Sequence, residues 1–335
     1  MTALAASTAV VASIIAAAAS ICGALITAVL AQRIKRRNDE QLERLKAELS
    51  EAKAERDAAR DYRYDAIKRL YTDLQPLLFQ LSSLCESTYL HTRGLARTAR
   101  NGGLGTGPDS WLRDDYFLLS TVYRLLVPAA VVQLIQRRLT LVDLSVDQTL
   151  HERYRLARLL VATWNSGFDI AASEPPLEYH PHDRDAELRA DAEPAVYGLQ
   201  HLYAGQVEAL TACLVVRDAP DEPLRHRTYG EFEREFREGV AREAVAPAVD
   251  LISTLHPRTH PVLWRMLLVQ AHVARALAGA GERGSAEPFG LPDEERAKFD
   301  WRERGAAETD EEAVGNPLRG ARGYLEHVLS ASPLG

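Results

Sequence analysis

Cysteine is scarce in this chain of 335 residues: Cys22, Cys85 and Cys213 lie far apart and show no CxxC spacing. They supply neither a disulfide framework nor a cysteine zinc site, and a reducing compartment suits them. Lysine is scarce too, occurring only at positions 35, 46, 53, 68 and 298, while arginine provides the rest of the 40 basic residues. With the high alanine content, that bias is the mark of GC-rich bacterial coding. Excess positive charge is missing: 47 acidic residues outnumber the 40 basic ones, for a net charge of −7. A phosphate backbone would meet no general attraction, so nucleic acid is not an expected partner. Also missing are a GxSxG elbow, a kinase motif set, a dinucleotide fingerprint and the Gly-Lys-Ser/Thr of a P-loop, so no cofactor is expected. What is abundant is apolar surface, at 46% of residues, enough for one sizeable core or two small ones.

No charged side chain occurs from Thr2 to Gln32, and large aliphatics from Val10 to Leu30 punctuate the alanines. About 20 apolar residues cross a bilayer core, and a helix is the only single segment that satisfies its backbone there. A cleaved export signal carries its bases before the apolar stretch, whereas here Arg33, Lys35, Arg36 and Arg37 follow it. The positive-inside rule holds those four bases in the cytoplasm, with the N-terminus outside. Residues 1–32 therefore read as a single-pass anchor in the plasma membrane. Within it Ala16, Ser20, Ala24 and Ala28 recur at every fourth position with Gly23 beside them, a row of small residues that lets two helices approach.

Residues 33–65 mix both signs of charge with good helix formers and contain no Gly or Pro. They read as a helical stalk. Leu42, Leu45, Leu49 and Ala52 fall at three-four spacing, a coiled-coil seam of two to three heptads, and ion pairs such as Glu40–Arg44 would support the same helix alone. Confinement in a bilayer raises effective concentration, so span and stalk together favour a homo-oligomer.

From residue 66 to 280 the apolar pattern keeps a helical period, and the expectation is an all-α cytoplasmic bundle. The first helix continues from the stalk to about Thr98, where Asn101, Gly102 and Gly103 stop it. A second starts near Asp109 or Ser110, and Pro128 opens a third. Ser145 with Gln148 has capping-box spacing for a fourth helix that stops near Gly167, and Pro194 suits the start of a fifth. Thr228 with Glu231 repeats the capping box, and Pro261 opens a helix apolar on nearly every side. The run from Leu125 to Gln136, divided by Pro128, is too short for a second span. After Gly281 the chain has 7 bases and 12 acids, and residues 281–335 read as a polar, flexible tail with a short helix around Tyr324 to Leu329.

Chemistry is thinly marked. His256 and His260 have helical metal-pair spacing, but Pro257 and Pro261 interrupt such a helix. His180, His182, Asp183 and Asp185 cluster in a long polar stretch and read as a solvated loop. Adjacent Asp114 and Asp115 point about 100° apart on a helix and cannot share a proton. The Gly-rich loop from Asn101 to Pro108 follows a helix, not the strand a phosphate cradle needs. No metal site is expected. Arg265 with His272, seven apart on one helix face, and Arg322 with His327 are similar to the arginine–histidine pairing of small helical ribonucleases of the HEPN class. That resemblance implies a membrane-tethered RNase using Arg265 and His272, the alternative to the leading reading. The leading reading is an anchored adaptor, scaffold or sensor whose partners are the lipid bilayer, further copies of itself and a cytoplasmic protein.

Overall fold

Good helix formers dominate the first hundred residues, and they run as one helix through Gly23, Pro76 and Gly94, α1 (Thr2–Arg100). The computed structural model describes residues 2–139, 147–183, 198–279, 297–302 and 311–330. They divide into two units, Met1–Asp65 and Ala66–Gly335. In the first unit, Ile21, Leu25, Ile26, Val29 and Leu30 lie exposed on the helix, as do Leu42, Leu45 and Leu49 further along. Thr27 donates its hydroxyl to the Gly23 carbonyl, which satisfies it inside the helix. Ion pairs along residues 33–65 include Lys46–Glu43 at 3.3 Å and Arg60–Asp57 at 3.5 Å, both i,i+3, and Arg60–Asp61 at 3.6 Å.

The second unit is all-α, as its periodicity predicts, apart from a two-residue antiparallel ribbon, β1 (Val215–Val216) on β2 (Arg225–His226). After residues 66–100 of α1 come α2 (Asp115–Leu139), α3 (Gln148–Ala162) and the short α4 (Gly167–Ala172). They are followed by α5 (Ala204–Cys213), α6 (Tyr229–Arg237), α7 (Arg242–Ser253), α8 (Pro261–Gly279) and α9 (Glu311–Ser330). The apolar helix opened by Pro261 is the centre: α8 packs on α3, α4 and α9, while α2 packs on α3, α5 and α7. The capping box at the start of α6 forms, with Glu231 N–H on the Thr228 hydroxyl and Thr228 N–H on the Glu231 carboxylate at 2.7 Å.

Several boundaries differ from expectation. Pro128 does not open a third helix; α2 runs through it unbroken. A proline lacks the N–H that would bond the carbonyl four residues earlier, here Arg124. The Thr88 hydroxyl on α1 donates to that carbonyl at 2.8 Å, so the freed acceptor is satisfied from a neighbouring helix. The uninterrupted α2 is then long and apolar enough to cross a membrane by composition, yet 83% of its most apolar window is buried in the domain. It is a core helix.

Asp114, not Ser110, caps α2: its Oδ1 accepts from Tyr116 N–H at 2.9 Å and Phe117 N–H at 3.3 Å. Ser110 precedes only a 3-10 turn, Trp111–Arg113. Likewise Asp147, not Ser145, caps α3 by accepting from Leu150 N–H at 3.0 Å; Ser145 lies outside the described residues. At Gly167 the chain restarts a helix instead of ending one. A Cβ there would meet the ring of His201 at 2.8 Å, so glycine serves close packing. Pro194 also falls outside the described residues, and Leu199 and Leu202 precede α5 outside any helix, tied by Leu202 N–H to the Trp164 carbonyl at 2.8 Å.

The C-terminal region departs furthest. Phe299 and Trp301 are buried, and the twenty residues of α9 bury Val314, Ala321, Tyr324 and Leu325 against the domain. Few but well-spaced apolar residues suffice when they meet a helix as apolar as α8. These stretches belong to the core and are no free tail.

Candidate functional site

Arg265 and His272 come first, because the sequence singles them out for chemistry. Arg265 is fully buried at 0% exposure. Its Nη1 donates to the carbonyls of Ile170 at 3.0 Å and Ser173 at 2.9 Å, and its Nη2 to that of Pro175 at 2.8 Å. The guanidinium thus closes the C-terminal end of α4, where the helix dipole favours a cation. Burial lowers its pKa to about 10, which leaves it charged at neutral pH. A Cβ at Gly320 would fall inside this guanidinium, so α9 crosses α8 at a glycine that makes room for it. His272 is buried as well, with Nδ1 2.6 Å from the Leu268 carbonyl of its own helix. Arg265 is a structural anchor with no open face for a substrate. In the second pair, Arg322 instead binds Glu326 at 2.8 Å.

His180 pairs with Glu178 at 3.6 Å, His182 stacks on Tyr203 with centroids 6.3 Å apart, and Asp185 lies outside the described residues. His260 donates its backbone N–H to the His256 carbonyl at 2.8 Å, and its ring contacts the hydroxyls of Thr254 and Thr259. Among the described residues no group of three metal-ligating side chains converges. In the Gly-rich loop, Gly103 N–H binds the Thr98 carbonyl at 2.9 Å and Gly105 N–H binds that of Leu255 at 3.1 Å, so neither amide faces an anion. The left-handed φ of Gly102 (72°) and Gly105 (98°) makes the turn, and Gly103 then accepts from Trp111 N–H at 2.9 Å. The loop's product is the placement of Trp111.

That placement starts an exposed aromatic ladder. Trp111 lies 5.4 Å from Phe117, Phe117 5.5 Å from Tyr116, Tyr116 5.8 Å from Tyr229, and Tyr229 5.7 Å from Tyr123. Trp111, Tyr116 and Phe117 remain 55%, 50% and 45% exposed, an unusual outlay of apolar surface. Asp114 sets two of them by capping α2, and the edge-to-face contact with Tyr229 links α2 to α6.

Between this ladder and α1 run two adjoining recesses. One, of about 270 Å³, is lined by Leu84, Ser87, Tyr116, Ser120, Tyr123, Arg124, Val127 and Tyr229. The other, of about 260 Å³, is lined by His91, Gly94, Leu95, Thr98, Leu104, Trp111, Leu112, Tyr116, Phe117, Ser120, Thr121 and Arg124. They share Tyr116, Ser120 and Arg124, and so form one groove with a cation midway. Among the described residues no carboxylate lines it. His91 Nε2 lies 3.0 Å from the Thr121 hydroxyl. Burial, and then the charge of Arg124, push its pKa down to about 4, so the imidazole is neutral at physiological pH.

Sequence reasoning missed this groove. Trp111, Tyr116 and Phe117 read as the apolar side of a helix, and nothing local says that their partner face is left open. Compared with protein-family models, curated proteins and solved structures, the chain matches none.

Proposed function

We propose that this protein is a single-pass membrane-anchored helical module that acts by binding another protein through the groove between α1 and the start of α2. The groove carries the reading. It is open, aromatic and apolar, its polar side-chain atoms being hydroxyls, the Trp111 indole N–H, one neutral imidazole and one cation. Such a lining suits recognition of side chains, whereas acid–base or nucleophilic catalysis needs converging titratable groups.

The anchor rests on composition and exposure together. Residues 2–32 are uncharged, the aliphatic side chains from Ile21 to Leu30 are exposed on a helix, and four bases follow within five positions. Water would make such exposure unfavourable by about 25 cal/mol for each Å² of apolar surface, and lipid removes that penalty. Ser20, Gly23, Ala24 and Ala28 lie on the same exposed segment, with nothing within 4 Å of a Cβ built on Gly23; the Ala16 side chain lies outside the described residues. A second span could approach closely there, and Leu42, Leu45, Leu49 and Ala52 offer a seam further on.

The test has two arms. The full-length chain should partition with membranes and resist extraction by high salt, with a C-terminal reporter reading cytoplasm. In those membranes, cross-linking should trap a discrete heteromeric species that the paired substitutions Trp111→Ser and Phe117→Ser remove. A salt-extractable chain contradicts the anchor, and a species indifferent to the paired substitutions contradicts the binding role.

A further inference from the structure

The charge inside the groove identifies its occupant more closely. Arg124 sits where the two recesses meet, exposed, and among the described residues its guanidinium has no carboxylate partner. Three arginines of the adjoining β2–α6 segment are matched by contrast: Arg225 by Asp218 at 2.6 Å and Glu231 at 2.7 Å, Arg227 by Glu235, and Arg237 by Glu233 at 2.8 Å. One cation left unmatched at the centre of an aromatic groove is the complement of a single carboxylate flanked by apolar groups. Along α1 the groove extends from Leu84 to Thr98, about 20 Å at 1.5 Å per residue. That length accommodates a short peptide segment with one apolar anchor in each recess.

Resting on the protein-binding reading, we propose that the groove takes an acidic linear segment of a partner protein: two apolar side chains, one per recess, with an Asp or Glu between them on Arg124. Single-stranded RNA, which aromatic platforms also bind, fits less well. It would bring one phosphate per nucleotide past a lining that holds one arginine, with Asp114 and Asp115 beside the aromatic ladder. A bare apolar peptide would leave the guanidinium to be desolvated without a partner.

Gly94 provides a clean way to block the groove. It lines the second recess, it is helical, and a Cβ built on it meets nothing within 4 Å. Gly94→Leu therefore fills the groove with a better helix former and leaves the core untouched. Arg124→Glu reverses the central charge at an exposed position.

Full-length chain in lipid nanodiscs would be used to select from a displayed library of random fourteen-residue peptides, with oligouridine as a separate probe. The expected result is a consensus of one acid between two apolar positions. Binding of a selected peptide should fall at least tenfold on Gly94→Leu, and Arg124→Glu should shift selection to Lys or Arg at the same position. Peptides that are sensitive to Gly94→Leu but carry no acid would overturn this inference and leave the protein-binding reading standing. An absence of groove-dependent peptides, or oligouridine binding alone, would overturn both.

Discussion

The Thr88 hydroxyl donates to the Arg124 carbonyl across 2.8 Å, and Arg124 lies one helical turn before Pro128. Thr88 is fully buried, so the bond replaces in a dry environment the one that proline cannot make. The same contact fixes α2 against the helix that forms the far wall of the groove, so fold and site share it.

Removing that hydroxyl with Thr88→Val should destabilise the domain by about 1–3 kcal/mol, the cost of an unsatisfied buried acceptor. In a Pro128→Ala background, the restored N–H can serve the carbonyl instead, and the same substitution should cost distinctly less. Thermal or denaturant unfolding of the four variants gives the coupling energy directly. Strict additivity would mean that Thr88 does not stand in for the missing N–H.

Arg265 provides the second test. Arg265→Met leaves the buried carbonyl of Ile170 and the part-buried carbonyls of Ser173 and Pro175 without this donor and should cost several kcal/mol, on the order of 3, in unfolding measurements. Gly320→Ala should destabilise too, although alanine is the better helix former by about 1 kcal/mol, because its Cβ would enter the guanidinium. His272→Ala should leave cellular RNA intact. RNA cleavage that vanishes with His272 while the fold persists would restore the ribonuclease reading.

The folded state should lose stability as pH falls from about 6.5. His91 is held neutral with a pKa near 4, whereas an unfolded histidine takes up its proton at about 6.5. Below 6.5 the unfolded chain binds the extra proton and stability declines until the folded imidazole itself protonates near 4, an effect on the order of 3 kcal/mol. His201, His226 and His260 are shifted down as well, chiefly by burial, and add to the same slope. His91→Gln should flatten it in part. An unchanged slope would show that His91 titrates normally.

The proposed self-association through residues 1–32 can be tested apart from the groove. Replacing Gly23 and Ala24 with Leu should abolish dimerisation in a membrane two-hybrid assay while leaving insertion intact, because leucine favours lipid but keeps helices apart. Equal signal from the variant would remove the small-residue face.

How far the sequence foretold this molecule depends on the range of the interactions involved. The capping box of Thr228 and Glu231 and the burial of α8 were legible because both are set by neighbours along the chain. Pro128 misled for the complementary reason: a proline's effect depends on whether another element satisfies the carbonyl it frees, and Thr88 lies 36 residues away. Asp147 and Ser145 are equivalent as cap residues by composition, and the Tyr71 hydroxyl on the Asp147 carboxylate, at 2.8 Å, draws the first of them to α1. Of the C-terminal helix only the part around Tyr324 to Leu329 was legible; its full extent, Glu311–Ser330, was hidden by its charge, since only the apolar face of α8 reveals what α9 covers. The groove was least legible. An open face is a property of what fails to pack, and no residue spacing encodes that.

The most direct test of the account places a photo-reactive phenylalanine analogue at Phe117 in the full-length chain, irradiates intact cells and resolves adducts in the membrane fraction. The account predicts one discrete protein adduct that is lost on Gly94→Leu and is not formed by the same analogue at exposed Val240. Adducts that are alike at both positions, or that persist when the groove is filled, would contradict it.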